Sequence, residues 1–360
     1  MLSNAMTSVG VDDLTALVAK KTMSTRTTIL PFVDFTVFMA ELLKTFYKPG
    51  SHLIAGGHVT PEIELAANRA EIELLETLGH SSFSSDVDSV LASVRSAQDL
   101  IYVANPNRLT GANFSISDLE KLARAIPQGA LFIDEYYFDY FGISGLPLLD
   151  LLTNVVIFRS FTASFSISSS DAGYILANTE TINIIKDSCL LEPISSAVRK
   201  TIIATLTNGE ALSSHIHLVH EESLRLATAL SHQKVQCRIT TTDFLLILVA
   251  DPKNVGNYLA RYKAPVDNLD GYPQLENYLR YRIQSPFSND RLIEAFKRMP
   301  ADYYRMKPID LRAVTLRRRP SAYEEQAAER DVFDVFSQDP IPGQRSRRVK
   351  NRGVVAEKEY

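Results

Sequence analysis

Tryptophan is missing from this 360-residue sequence, and cysteine nearly so: Cys189 and Cys237 are the two thiols. Two cysteines build neither a disulfide framework nor a cysteine-ligated zinc centre, and their scarcity suits a reducing, cytoplasmic setting. No apolar run approaches the roughly 18 residues that a membrane-crossing helix needs, so no membrane partner is expected. The first ten residues hold no basic region followed by an apolar stretch, the pattern of a secretion signal. A dominant charge is lacking too. Lys and Arg total 38 against 42 Asp and Glu, a net charge of −4, which makes no electrostatic case for nucleic acid as a partner. What is present is ordinary globular material, 45% hydrophobic and 22% charged, long enough for two domains.

Apolar residues fall into short runs alternating with helical repeats. Residues 1–28 are polar and irregular, with one weak helical stretch at 12–20, and read as an N-terminal arm. Residues 37–46 place apolar side chains at helical spacing until Pro49-Gly50 stops them. A short strand at Ile54-Ala55 ends at Gly56-Gly57. A helix is expected over 61–78, opened by Pro61 and carrying Leu65, Ile72 and Leu75 on one side. Strands are expected at 100–104, 130–133 and 155–159, with a helix at 117–125 capped by Ser115 or Ser117. This alternation predicts an α/β domain over 29–210, a mostly parallel sheet between helices. Beyond it the chain reads as a smaller α+β domain, 211–305. That domain has a long helix at 210–230, strands at 244–249 and 279–283, and a helix at 290–298. Residues 306–360 form a polar tail with Arg317-Arg318-Arg319-Pro320, an acidic stretch at 323–336 and a basic one at 345–352. It is expected to be mobile or to dock on a partner.

Four segments, three of them at predicted strand ends, carry a resemblance. They are Asn105-Pro106-Asn107-Arg108-Leu109-Thr110-Gly111; Asp134-Glu135-Tyr136-Tyr137; Arg159-Ser160-Phe161-Thr162-Ala163-Ser164-Phe165 followed by Gly173-Tyr174; and Tyr278-Leu279-Arg280-Tyr281-Arg282-Ile283. In order and spacing they resemble the fold-type-I aminotransferases of class I/II that depend on pyridoxal phosphate (PLP), in particular the histidinol-phosphate aminotransferases. The patterns there are N-P-N-N-P-T-G, D-E-A-Y, R-T-L-S-K-A-F with G-Y eight residues on, and a late L-R-I. The resemblance implies a fold-type-I fold and a homodimer. It places the site at the carboxyl ends of the parallel strands, where open α/β sheets bind ligands.

The resemblance also assigns roles, and several are not filled. Asp134 aligns with the carboxylate that pairs with the pyridinium nitrogen, and Tyr137 with the tyrosine that hydrogen-bonds the ring hydroxyl. Each has a plainer reading: Asp134 capping the following turn, Tyr137 packing. Asn107 lies in the same remnant pocket, where Arg108 replaces the asparagine that contacts the ring hydroxyl. Ala163 stands at the lysine that forms the Schiff base, and a methyl group cannot form an imine. Lys186 and Lys200 lie well past the motif. Thr162 keeps one hydroxyl of the phosphate cup, whereas Asp171 replaces its arginine and repels phosphate. The glycine-rich turn aligns with Phe32-Val33-Asp34-Phe35, and the stacking aromatic falls near Thr60. Arg280 aligns with the arginine that binds the substrate carboxylate; otherwise it is a surface strand arginine.

Ordinary transamination is therefore not expected. No covalently bound cofactor is expected either, and PLP enters by resemblance only. Three readings stay open. One is a pseudoenzyme that binds an amino-acid-like or carboxylate small molecule or serves as a partner subunit. Another is a PLP-independent enzyme using Asp134, Asp171 and Tyr137 as acid–base groups with Arg280 as anchor. The third is a PLP enzyme with an unorthodox base. His215, His217, His220 and Glu221 cluster in sequence but read as a solvated helix, so no metal site is expected. The serine run from Ser164 to Ser170 lacks a nucleophile elbow.

Overall fold

In the computed structural model, residues 9–79, 81, 83–161, 163 and 172–306 are described. The polar tail lies outside them apart from Met306, and so do Thr162, Asp171 and the serine run.

The strands are β1 (Ile29–Phe32), β2 (Leu53–Gly56), β3 (Leu74–Thr77), β4 (Leu100–Ala104), β5 (Ala130–Asp134), β6 (Val155–Ser160), β7 (Gly173–Leu176), β8 (Gln236–Ile239), β9 (Phe244–Leu248), β10 (Asp267–Asn268) and β11 (Tyr278–Arg282). The first seven form one sheet in the order β1-β7-β6-β5-β4-β2-β3. From β3 to β6 neighbouring strands run parallel, and β7 runs against both β6 and β1. The other four form an antiparallel sheet, β10-β11-β9-β8. A large, mostly parallel sheet with helices and a smaller antiparallel sheet is the expected α/β architecture.

Side chains of a strand alternate between faces, and this decides what meets at the site. Tyr102, Phe132 and Phe158 enter one apolar core, whereas Ile101, Val103, Leu131, Ile133 and Ile157 enter the other. Strands buried on both faces read as unbroken apolar runs, which is why β4, β5 and β6 were legible. The first face is covered by the helix Phe35–Phe46, whose Met39, Leu42 and Leu43 are fully buried. Asp34 caps that helix by accepting from the Val37 N–H at 2.9 Å. The segment aligned with a glycine-rich phosphate turn is thus a helix cap flanked by core phenylalanines.

The helix expected over 61–78 is shorter. It spans Pro61–Ala70 and ends at Glu71, whose φ of 57° is left-handed. Residues 74–77 become β3, paired in parallel with β2 at the sheet edge. Ile72 and Leu75 do fit a helical repeat, but the open edge of β2 offers a full set of backbone partners. Strand β1 was also unread. It is short, sits at the other edge and contains Pro31, which an edge strand tolerates.

Candidate functional site

Strands β4 and β5 pair with Ala104 opposite Asp134, so Asp134 shares a face with Tyr102. The Tyr102 hydroxyl donates to Asp134 Oδ2 at 2.8 Å, and the Tyr136 N–H donates to Oδ1 at 3.0 Å. Arg108 Nη1 lies 3.7 Å from Asp134 Oδ2. The Arg108 guanidinium stacks over the Tyr136 ring, 4.1 Å from its centroid, with Phe35 at 5.8 Å. Burial pushes the Asp134 carboxyl above the usual aspartate range, while Arg108, the Tyr102 hydroxyl and the Tyr136 N–H pull the other way. Burial likewise opposes the charge on Arg108, but Asp134, Tyr102, Tyr136 and Glu62 together outweigh it and keep the guanidinium protonated. The Tyr102 hydroxyl is raised well above its ordinary value by burial and Asp134.

The space bounded by Phe32, Phe35, Phe158, Arg108 and Asp134 has a volume of about 10 Å³, at the lower limit for one water molecule. Phe35 and Phe158 meet edge to face there, 5.4 Å between centroids. The partner that the resemblance assigns to Asp134 is a pyridinium nitrogen, and the cation beside Asp134 is Arg108. The residues described here do not fit a PLP ring.

Asn107 is committed to its own turn. Its Oδ1 accepts from the N–H groups of Leu109 and Thr110 and from the Thr110 hydroxyl, and its Nδ2 donates to the His58 carbonyl. Ala163 is buried, and its carbonyl accepts from the Tyr140 hydroxyl at 3.4 Å. Lys186 and Lys200 are exposed on helices. Among the described residues, no lysine lines the small space beside Asp134 or the open cleft next to it. Lys21 lines a separate cavity of about 330 Å³ on the Arg159 side, where its ammonium is 3.3 Å from Asp139. There the buried Arg159 donates to Glu135 at 2.9 Å, and Glu135 also accepts from Ser144 and the Gly145 N–H.

The open cleft measures about 580 Å³ and is walled by Arg108 on one side and β11 on the other. Arg280 and Arg282, two residues apart on β11, both line it. Arg280 donates to Asp267 Oδ2 through Nε at 2.9 Å and Nη2 at 2.8 Å, and through Nη1 to the Arg108 carbonyl at 3.0 Å. Arg282 Nε donates to the buried Asp243 at 2.7 Å. Tyr137 is buried against Tyr136, Tyr140 and Phe244 at the cleft wall. Burial and Asp243 push its hydroxyl well above the ordinary tyrosine value.

The fold therefore brings Asp134, Tyr137, Arg108 and Arg280 near one another. Tyr102, Asp243, Asp267 and Arg282 were missed. Period-two alternation pointed to Tyr102, two residues from the end of an apolar run. No local signal marked Asp267, which reaches Arg280 through the pairing of β10 with β11. The histidine cluster disperses: His217 lies 3.1 Å from Glu221 on an exposed turn, and His215 contacts Tyr140. Among the described residues, no group of three or more His, Cys, Asp or Glu side chains is placed to hold a metal ion, and no helix is long and apolar enough to cross a membrane.

A family model described as aminotransferase class I and II matches residues 7–276. The histidinol-phosphate aminotransferase of Chlorobaculum tepidum is 26% identical over 229 residues, covering 63% of this chain and 66% of that protein. The Chlorobium luteolum protein of the same name is 26% identical over 268 residues, 73% of each chain. Among solved structures, a putative histidinol-phosphate aminotransferase from Erwinia carotovora atroseptica superposes with a TM-score of 0.72 at 15% identity, covering 81% of this chain and 86% of that one. The histidinol-phosphate aminotransferase from Sinorhizobium meliloti, solved in complex with pyridoxal-5'-phosphate, gives 0.69 at 16% identity, covering 80% and 82%.

Proposed function

The chain belongs to the class I and II aminotransferase family, and within it we propose a ligand-binding pseudoenzyme that does not transaminate. The observation that carries this reading is the Arg108–Asp134 pair. A carboxylate that serves PLP must be open to the pyridine ring, and this one is closed by the protein's own guanidinium, 3.7 Å away, in a space of about 10 Å³. The alignment that places Ala163 at the Schiff-base position points the same way, since an alanine cannot form the internal aldimine. An amino-acid-like or carboxylate small molecule then occupies the adjoining cleft of about 580 Å³, with Arg280 as its carboxylate anchor. The protein acts as a homodimer or as the partner subunit of an active relative, in the cytoplasm.

An enzyme that uses Asp134 and Tyr137 for acid–base catalysis is the weaker reading. Asp134 accepts two hydrogen bonds and pairs with Arg108, and burial and Asp243 push the pKa of the Tyr137 hydroxyl well above the ordinary tyrosine value. A general acid or base works best with a pKa near the working pH.

PLP titration of the purified chain, followed by visible absorbance, tests the proposal. The expected result is no tight yellow complex. A stoichiometric complex that Asp134→Ala abolishes overturns it.

A further inference from the structure

Three arginines line the open cleft, and each has its own aspartate: Arg108 with Asp134, Arg280 with Asp267, Arg282 with Asp243. One charged lining residue is left over. Glu62, in the first turn of the helix Pro61–Ala70, takes part in none of the ion pairs among the described residues. Burial pushes its carboxyl up, but the Thr60 hydroxyl, its own backbone, Arg108 and Arg280 outweigh this and hold it below the usual glutamate range. Glu62 is therefore ionised at neutral pH, attracted by two arginines that are each already held by another carboxylate.

Beside it stands a second unspent group. Thr60 caps the same helix by position, yet its side chain makes no capping hydrogen bond. The residue is 8% exposed and lines the cleft, and its Oγ1 has no partner at hydrogen-bond geometry, although it lies near enough to Glu62 to lower that carboxyl's pKa. A buried hydroxyl without a partner carries a desolvation cost that a ligand relieves. The Tyr272 ring, on the same cleft, is close enough to feel the Glu62 charge.

We propose that the cleft takes its ligand by a free ammonium group, received by the Glu62 carboxylate and Thr60 Oγ1, with Tyr272 as an aromatic wall. This rests on the ligand-binding reading above and names the chemistry it selects: a primary amine, zwitterionic or net cationic, rather than an acid without an amine. The helix N-terminus opposes a cation with about half an elementary charge, which the full charge of Glu62 exceeds. An aromatic face adds attraction for an ammonium.

Isothermal titration of the full chain with L-lysine, 1,4-diaminobutane and succinate tests this. The first two are expected to bind and succinate not. Glu62→Gln, which keeps the shape and removes the charge, weakens both amines by about tenfold or more. Thr60→Val weakens them less, and it leaves the helix intact because no cap is lost. Thermal melts of both variants verify folding. Amine binding unchanged in folded Glu62→Gln overturns the proposal. Succinate binding without the amines overturns it while leaving a ligand-binding cleft of opposite preference. No binding by any of the three overturns it together with the ligand-binding reading.

Discussion

Arg108 Nη1 and Asp134 Oδ2 lie 3.7 Å apart, with the guanidinium over the ring of Tyr136, so the two charges satisfy each other inside the protein. The Asp134 side chain is buried and that of Arg108 mostly so, which sets the energetics of the pair. Removing Asp134 leaves a mostly buried guanidinium without its carboxylate. Asp134→Ala is expected to cost about 3–5 kcal/mol, as for other broken buried pairs, whereas Tyr102→Phe removes one hydrogen bond and costs about 1–2 kcal/mol. Urea denaturation of the two variants separates these terms. Equal losses would mean that the ion pair is not the dominant one.

A lysine placed at position 163 is not expected to create a Schiff base with PLP. In Ala163→Lys the new amine starts from a position that is 2% exposed, and Arg108 still holds Asp134. After incubation with PLP and borohydride reduction, the intact mass of the variant is expected to be that of the protein alone. A mass gain equal to one phosphopyridoxyl group would show that the crevice opens more readily than its packing implies.

Arg280 grips Asp267 with Nε and Nη2 and the Arg108 carbonyl with Nη1. A lysine has the charge but not the fork. Because the Asp267 side chain is 60% exposed, Arg280→Lys should change folding stability by no more than about 1 kcal/mol. Affinity for L-lysine, whose carboxylate is expected to meet the remaining Nη1 and Nη2 N–H groups of Arg280, should fall roughly tenfold. Undiminished affinity would reduce Arg280 to a strand-edge brace.

Away from the site, Asp99 is fully buried and accepts from the N–H groups of Arg95, Ser96 and His52 at 2.8, 2.9 and 3.0 Å. Burial pushes its carboxyl up, but these donors outweigh burial and hold it below the ordinary aspartate range. A folded pKa below the unfolded one stabilises fully above the unfolded value of about 3.9. The contribution is lost as pH falls through the folded value. Asp99→Ala is expected to cost about 3 kcal/mol at neutral pH. The gap from the parent should close below about pH 4, read as urea midpoints across pH. A gap that stays constant into acid would mean that the carboxylate charge contributes nothing.

Legibility followed burial and range. The unbroken runs of β4 and β5 carried their assignment within five residues each, because both faces are packed. Ser115 declared the next helix by accepting from the Asp118 N–H, a contact three residues long. β3 was read as helix because its pairing to β2 is made with residues more than twenty positions away. The same holds at the site. Asp134, Tyr137, Arg108 and Arg280 stood out through the motifs that contain them, while Asp267, Asp243 and Glu62 sit in no motif and matter through what they face.

Composition and the four motif segments determined the family architecture and which arginine and aspartate to watch. These are properties of order along the chain. Whether that arginine would open a pocket or plug one was a matter of a few ångströms between β5 and the turn after β4. Phe32, Phe35 and Phe158 fill the space beside Asp134, and the guanidinium lies against the carboxylate. Charge accounting around the cleft was likewise a tertiary outcome, since electrostatic partners are assigned by distance and burial, which no single stretch of sequence contains.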